Sequence, residues 1–441
     1  MASYRTFTTV GDFGPYVSRL ILALPSCVCA HDVSARSFSV YVERKDPATG
    51  ELVRAKEHHT DSRASLSRGY VPVRRTYVSD VMGVPVPAGD HVTLIMPGVR
   101  LTKRIDGDVM CGHLRRIDVR VTQLEALPPE TPGDDPVVGL VFDHCDGDLC
   151  PQLDGWNLDL EGSFDGVEMR YAAFMPDIAA VNARRLRPIL GHAAKPLEKV
   201  PVVLWLHGAG EGGGEPYRTV TGNKVVALGE VDIQSKLGGA AYVLVPSCPT
   251  FWMDSGDGTI VDDNQSIYGT ALKALVDEFV AAHADTVDSD RIYIGGLSNG
   301  GFMTCRMVAD YPDFFAAAVA CCAPWLGELG TDEEYAAMAT TPLWFVQVDD
   351  DALVNPADHV MATLPRLLAA GATDTHVTYY DRIADETGEY HDENGRPLSY
   401  NGHLVWINVY HDTVRTELDG TNVLWDGFPV TLWQWVGRHR R

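Results

Sequence analysis

Arg291-Ile-Tyr-Ile-Gly-Gly-Leu-Ser-Asn-Gly-Gly-Phe302 is an apolar run that ends in a glycine-flanked serine and continues into helix-compatible residues. Within it, Gly296-Leu297-Ser298-Asn299-Gly300 has G-x-S-x-G spacing. In that pattern a strand turns so sharply into a helix that the residues flanking the serine must be nearly free of side chains. The hydroxyl then stands above the sheet edge, where a base can reach it. Five residues alone carry little weight in a chain with 41 glycines. The strand before, the helix after and the further glycine at 301 supply the context. Ser298 is the candidate nucleophile; the plainer alternative is a glycine-rich turn with a solvated serine.

Outward from this stretch, the chain beyond about residue 155 alternates strands and helices. Val200–Trp205, Ala241–Val245, Arg291–Gly295, Ala316–Cys322, Leu343–Val348 and Val377–Tyr380 read as strands. Ala271–Val280, Asn299–Ala309 and Pro356–Ala370 read as helices, and a last amphipathic helix includes Val430–Val436. Such alternation specifies a mainly parallel sheet covered on both faces, with its site at the carboxyl ends of the strands. The first 125 residues read differently. Phe38, Val40 and Val42 alternate with polar neighbours, as do Ile117, Val119 and Val121, and His91–Met96 is a further strand. Short alternating strands between turn clusters predict an all-β sandwich. Leu127–Pro136, rich in proline and acid, reads as a linker or long loop. The expected division is residues 1–150, a β-sandwich, and 151–441, an α/β domain.

A chain of 441 residues suits two domains, and 45% hydrophobic with 22% charged residues is ordinary for a globular protein. A formal charge of −24 repels phosphate backbones and anionic lipid, so nucleic-acid and membrane-surface partners are not expected. No run reaches the roughly 18 apolar residues of a membrane span. Leu20–Leu24 is too short for a signal core and is read as a strand, so a cytoplasmic location is expected. The nine cysteines are scattered, which suits a reducing compartment. Cys145, Cys150 and His144 sketch a metal site but lack a second ligand pair at zinc spacing, so no metal is expected.

A serine nucleophile needs an imidazole base, and the base needs an orienting carboxylate. On an α/β sheet they follow in the order serine, acid, histidine. Asp349-Asp350-Asp351 follow the strand Leu343–Val348. Asp351 is favoured for its spacing to Val354 and Pro356, with Asp349 and Asp350 as competitors. His403, in Tyr400-Asn-Gly-His-Leu-Val-Trp406, is the best placed base, with His391 and His411 as rivals; His359 reads as a surface or packing residue. Leu206-His-Gly-Ala-Gly-Glu211 lies where an H-G-x-G oxyanion loop belongs, so the amides of Ala209 and Asn299 are the expected donors. His207 reads as a brace for that loop. Gly212-Gly-Gly214 lacks the ending of a phosphate loop. Trp252, after a strand, lines a substrate pocket or packs in the core; the sequence leaves both open. The chemistry calls for no cofactor.

Together these residues resemble bacterial carboxylesterases of the α/β-hydrolase superfamily that carry an N-terminal immunoglobulin-like domain, relatives of feruloyl esterases and polyhydroxybutyrate depolymerases. The resemblance covers most of the chain. Asp12–Leu22 looks like the opening strand of the Ig-like domain, and Gly162–Pro176 like the first hairpin of the hydrolase. Leu206–Glu211 is similar to the oxyanion loop, Asp288–Gly301 to the elbow, and Gly402–Trp406 to the histidine loop. The chain departs from the family at Gln347-Val348, where His-Gly is frequent, and relatives are often exported. The resemblance implies hydrolysis of small or aromatic carboxylic esters through Ser298, Asp351 and His403, and leaves open a homo-oligomer built through the N-terminal domain. The rival readings are a prolyl-oligopeptidase-like peptidase, for which the N-terminal region is too short and unrepeated to form a propeller, and a non-catalytic binding protein.

Overall fold

The computed structural model describes residues 2–55, 65–103, 113–114, 116–131, 133–186, 194–386, 388 and 391–441. The chain forms two compact units, Met1–Asp154 with Thr221–Lys224, and Gly155–Val220 with Val225–Arg441.

In the first unit, a five-stranded sheet has the order His144–Leu149, Ser3–Gly11, Gly14–Cys29, Ala88–Arg100, Arg75–Ser79. A four-stranded sheet has the order Val141–Phe142, Arg116–Gln123, Phe38–Lys45, Arg68–Val71. Strand alternation puts one side of the longer strands into a shared core, where Leu20, Leu22, Val40, Val42, Leu94, Val121 and Phe142 meet. Leu20–Leu24 lies within the long second strand. Of the two readings of the proline-rich stretch after residue 126, the loop fits: Leu127 is fully buried in this core and bridges Val137. Pro132 lies outside the described residues. A cavity of about 730 Å³ on this unit is lined by Tyr4, Tyr41, Glu43, Arg116, Asp118 and Cys145, with none of Ser298, Asp351 and His403 among its walls.

In the second unit, eight strands make one sheet: β1 (Trp156–Phe164), β2 (Val167–Phe174), β3 (Val200–Leu206), β4 (Tyr242–Ser247), β5 (Val287–Leu297), β6 (Ala317–Cys321), β7 (Leu343–Val348) and β8 (Thr375–Tyr380). Their spatial order is β1-β2-β4-β3-β5-β6-β7-β8. β2 runs antiparallel to both neighbours, and from β4 onward every pairing is parallel. β3 is buried along its whole length, which is why its sequence is a continuous apolar run rather than an alternating one. Helices α1 (Gly269–Ala282), α2 (Asn299–Asp310) and α3 (Val360–Ala369) belong to this unit. α1 buries Leu272, Leu275, Val276 and Phe279 at helical spacing, and burying each such side chain contributes about 1.5–3 kcal/mol.

Two helices start later than their apolar periodicity suggests. Asn355 accepts from the Ala357 amide at 3.1 Å and donates to Asp358 at 2.8 Å, a local turn that keeps residues 356–358 out of α3. At the C-terminus a capping box of Thr431 and Gln434 begins the helix Leu432–Val436 after Val430.

Candidate active site

β5 is central in the sheet, and at its carboxyl end the chain reverses into α2 through Ser298. Ser298 has φ 53° and ψ −119°, a conformation that costs a non-glycine residue about 1–3 kcal/mol. Its N–H donates to Cys321 O on β6 at 2.9 Å, and its carbonyl accepts from Phe302 N–H at 2.9 Å, so both sides of the bend are tied down. Gly300 is required by close approach: a Cβ there would overlap the carbonyl of Leu206 at the end of β3. The side chain of Ser298 is left half-exposed.

The loop after β7 carries the three aspartates. Asp349 and Asp350 are exposed, and Asp349 accepts from Tyr379 Oη–H at 2.8 Å. Asp351 turns inward and is buried. Its Oδ1 accepts the amides of Leu353 at 2.9 Å and Val354 at 3.0 Å. Burial by itself would raise this carboxyl, but the hydrogen bond and charge of His403 and the two amides outweigh it, holding Asp351 below the usual carboxylate range. His403 sits in the 3₁₀ turn Gly402–Leu404 beyond β8, with Asn401 Oδ1 accepting its N–H at 3.0 Å. Its Nδ1 lies 2.9 Å from Asp351 Oδ2, and its Nε2 lies 3.0 Å from Ser298 Oγ. An ionised Asp351 accepts from Nδ1–H, which leaves Nε2 free to accept from the serine hydroxyl. Gly402 lets the turn approach: a Cβ there would strike the Asp350 side chain and come within 2.9 Å of Asp351 N.

His391 is exposed, His411 caps the short helix Trp406–Tyr410, and His359 Nδ1 faces Trp325 O at 3.1 Å. The serine is met by His403.

The loop after β3 is glycine-rich, so side chains from elsewhere hold it. His207 is buried, with Nδ1 donating to Gly208 O at 2.6 Å and Nε2 accepting from Cys248 N–H at 3.0 Å. Both nitrogens are used by a neutral ring, and burial pushes its pKa down to about 4. Gly213 N–H donates to Cys248 O at 2.8 Å, and Gly214 N–H to Ser247 Oγ at 2.9 Å. Arg218, buried, donates through Nη2 to Gly212 O and through Nε to Glu211 O. Ala209 lies in the turn so held. Asn299 is the first residue of α2, where an N–H has no partner within the helix and the dipole favours negative charge.

Trp252 belongs to the packing alternative rather than to a pocket wall. It is fully buried, its indole N–H donates to His207 O at 3.1 Å, and its ring packs against His207 and Tyr268. Its amide donates to Asn299 Oδ1 at 2.6 Å. Cys145, Cys150 and His144 do not converge; among the described residues the close group of potential ligand atoms is Cys322, Asp351 and His403.

Three neighbours of the site lie outside the candidates read from the sequence. Arg218 is one. Cys322, with φ 36°, donates its thiol to His403 O at 3.5 Å. Trp406 stands edge-on to the His403 ring at 5.4 Å. Only Trp406 had an available signal, its three-residue offset from His403 across one helical turn.

Residues 3–126 match the esterase Ig-like N-terminal domain, and residues 272–384, which include Ser298 and Asp351, match the prolyl oligopeptidase family. The chain is 40% identical over 67 residues to poly(3-hydroxyalkanoate) depolymerase C of Paucimonas lemoignei, covering 15% of each protein. It is 31% identical over 135 residues to NocK of Nocardia uniformis subsp. tsuyamanensis, whose name makes it a candidate esterase, covering 31% of this chain and 36% of that one. The chain thus spans well under half the length of these relatives. A solved structure of a thermostable esterase superposes over 100% of both chains, with a TM-score of 0.69 at 19% identity, which establishes the fold.

Proposed function

We propose that this chain, an α/β-hydrolase with an esterase Ig-like N-terminal domain, is a serine carboxylesterase acting on small or aromatic carboxylic esters. The observation that carries the reading is the unbroken line from Asp351 Oδ2 through His403 to Ser298 Oγ, at 2.9 and 3.0 Å. Ser298 Oγ attacks the ester carbonyl carbon while His403 Nε2 takes its proton. Asp351 holds the imidazole in the required tautomer and stabilises the imidazolium. The N–H groups of Ala209 and Asn299 stabilise the oxyanion. His403 then returns its proton to the departing alcohol. Water, deprotonated by the same nitrogen, hydrolyses the acyl-enzyme and regenerates the serine.

Both a peptidase and an esterase use these groups, and the prolyl-oligopeptidase match covers only the region they share. The esterase-type N-terminal domain favours the ester. The test is a panel of p-nitrophenyl and feruloyl esters beside a proline-containing aminoacyl anilide, with Ser298→Ala as control. Ester turnover that disappears in Ser298→Ala, together with fluorophosphonate labelling of Ser298, supports the reading. Anilide turnover without ester turnover overturns it, and so does ester turnover that survives Ser298→Ala.

No helix among the described residues is long and apolar enough to cross a membrane. A bacterial cytoplasmic location fits the eight free cysteines among the described residues, and the sandwich edges suit a homo-oligomer contact. Size-exclusion chromatography with light scattering checks the second point, and cell fractionation the first.

A further inference from the structure

We infer that Cys322, Asp351 and His403 form a latent site for a thiophilic divalent cation such as zinc, and that occupying it switches the nucleophile off. This is regulation of the site proposed above and rests on that reading. The three residues are buried and come from three separate segments, the end of β6, the loop after β7 and the turn beyond β8. One potential ligand atom from each lies within 4.8 Å of the others. Zinc bonds to thiolate, imidazole and carboxylate run about 2.0–2.3 Å, so two of them span up to about 4.5 Å and small side-chain rotations bring all three onto one ion. The donors are a thiol, an imidazole and a carboxylate, a mixed soft and borderline set that selects zinc or cadmium over magnesium or calcium. The thiol already points at the histidine turn, donating to His403 O.

The proton balance gives the mechanism of inhibition. A thiol is ordinarily protonated near neutral pH. A bound cation reverses that preference, because a coordinating thiol is deprotonated outright. The thiol proton leaves to solvent as the metal–sulfur bond forms. The cation takes the place of the Nδ1–H···Oδ2 hydrogen bond, so His403 binds it through Nδ1 and its ring proton moves to Nε2. Nε2–H no longer accepts the proton of Ser298. One proton is released per ion bound, and no oxidant or reductant is involved. The cation is an inhibitor, not a cofactor.

The test uses the full-length protein stripped with a chelator. Zinc chloride should abolish p-nitrophenyl ester turnover, and chelator should restore it. Cys322→Ser keeps a donor for the His403 carbonyl, and its zinc response is read against its own metal-free turnover. Its half-inhibiting zinc concentration should rise by about tenfold or more, the scale of effect seen even when a residue outside the ligand set is lost. A second readout avoids activity. Ser298→Ala titrated with cobalt chloride should develop a thiolate-to-cobalt charge-transfer band, which the added Cys322→Ser change removes. Equal zinc sensitivity in the wild type and Cys322→Ser overturns the proposal, as does a cobalt spectrum that does not depend on Cys322. If no ester is turned over even without metal, the esterase reading fails, and the cobalt spectrum still decides whether this site exists.

Discussion

The backbone N–H of Cys248 donates to Nε2 of His207 at 3.0 Å, which assigns the remaining ring proton to Nδ1 and its bond to Gly208 O. A histidine just beyond the end of β3 thereby ties the glycine-rich loop to the end of β4. The arrangement works only with a neutral ring, and burial lowers its pKa from 6.5 to about 4. Between those values the unfolded chain binds a proton that the folded one does not. Stability therefore falls as pH drops from about 6.5 toward 4, by up to roughly 3 kcal/mol for a fully buried group. Urea unfolding at pH 7 and pH 4.5 should show this loss, and a flatter pH dependence is expected in His207→Asn. An equal slope in both proteins would contradict the assignment.

Asp351 is distinguished from its two neighbours by burial and by its contact with Nδ1 of His403. Asp351→Asn should lower kcat by about 10⁴, the loss expected when the imidazole tautomer is no longer enforced. Asp349→Asn and Asp350→Asn should leave kcat close to the wild-type value. Steady-state kinetics of the three variants on one aryl ester decide between them.

Arg218 grips two carbonyls of a loop that has almost no side chains of its own. Arg218→Ala should lower kcat toward the 10²–10³-fold loss seen when an oxyanion donor is removed, with a much smaller change in KM. Arg218→Lys, which keeps the charge and one donor, should recover part of it. A change confined to KM would assign Arg218 to substrate binding instead.

Gly402 has no room for a Cβ, because the Asp350–Asp351 backbone lies against it. Gly402→Ala should cost about 1–3 kcal/mol of stability through overpacking and push the histidine turn away from the acid loop. Thermal unfolding reports the first effect. The second appears as a fall in kcat that exceeds what the unfolded fraction explains. Unchanged kcat in a folded variant would show that the turn has slack.

Features that depend on near neighbours in the chain are legible in its residues alone. The elbow at Ser298 is local, because a strand-to-helix bend dictates glycines at fixed offsets. The strand–helix rhythm is local too, and it assigns the ends of β3, β5 and β7 to one edge of the sheet. Which side chains meet there was decided by tertiary structure, because each contact joins segments far apart in the chain. His403 reaches Ser298 across a sequence separation of 105, and Asp351 across 52. Trp252 is equally apolar in either of its readings, and only its burial beneath His207 places it in the core. Arg218 and Cys322 have nothing in their flanking residues to mark them. Their positions follow from what packs against them, a glycine-rich loop and a histidine turn, and packing of that kind is a property of the folded chain alone.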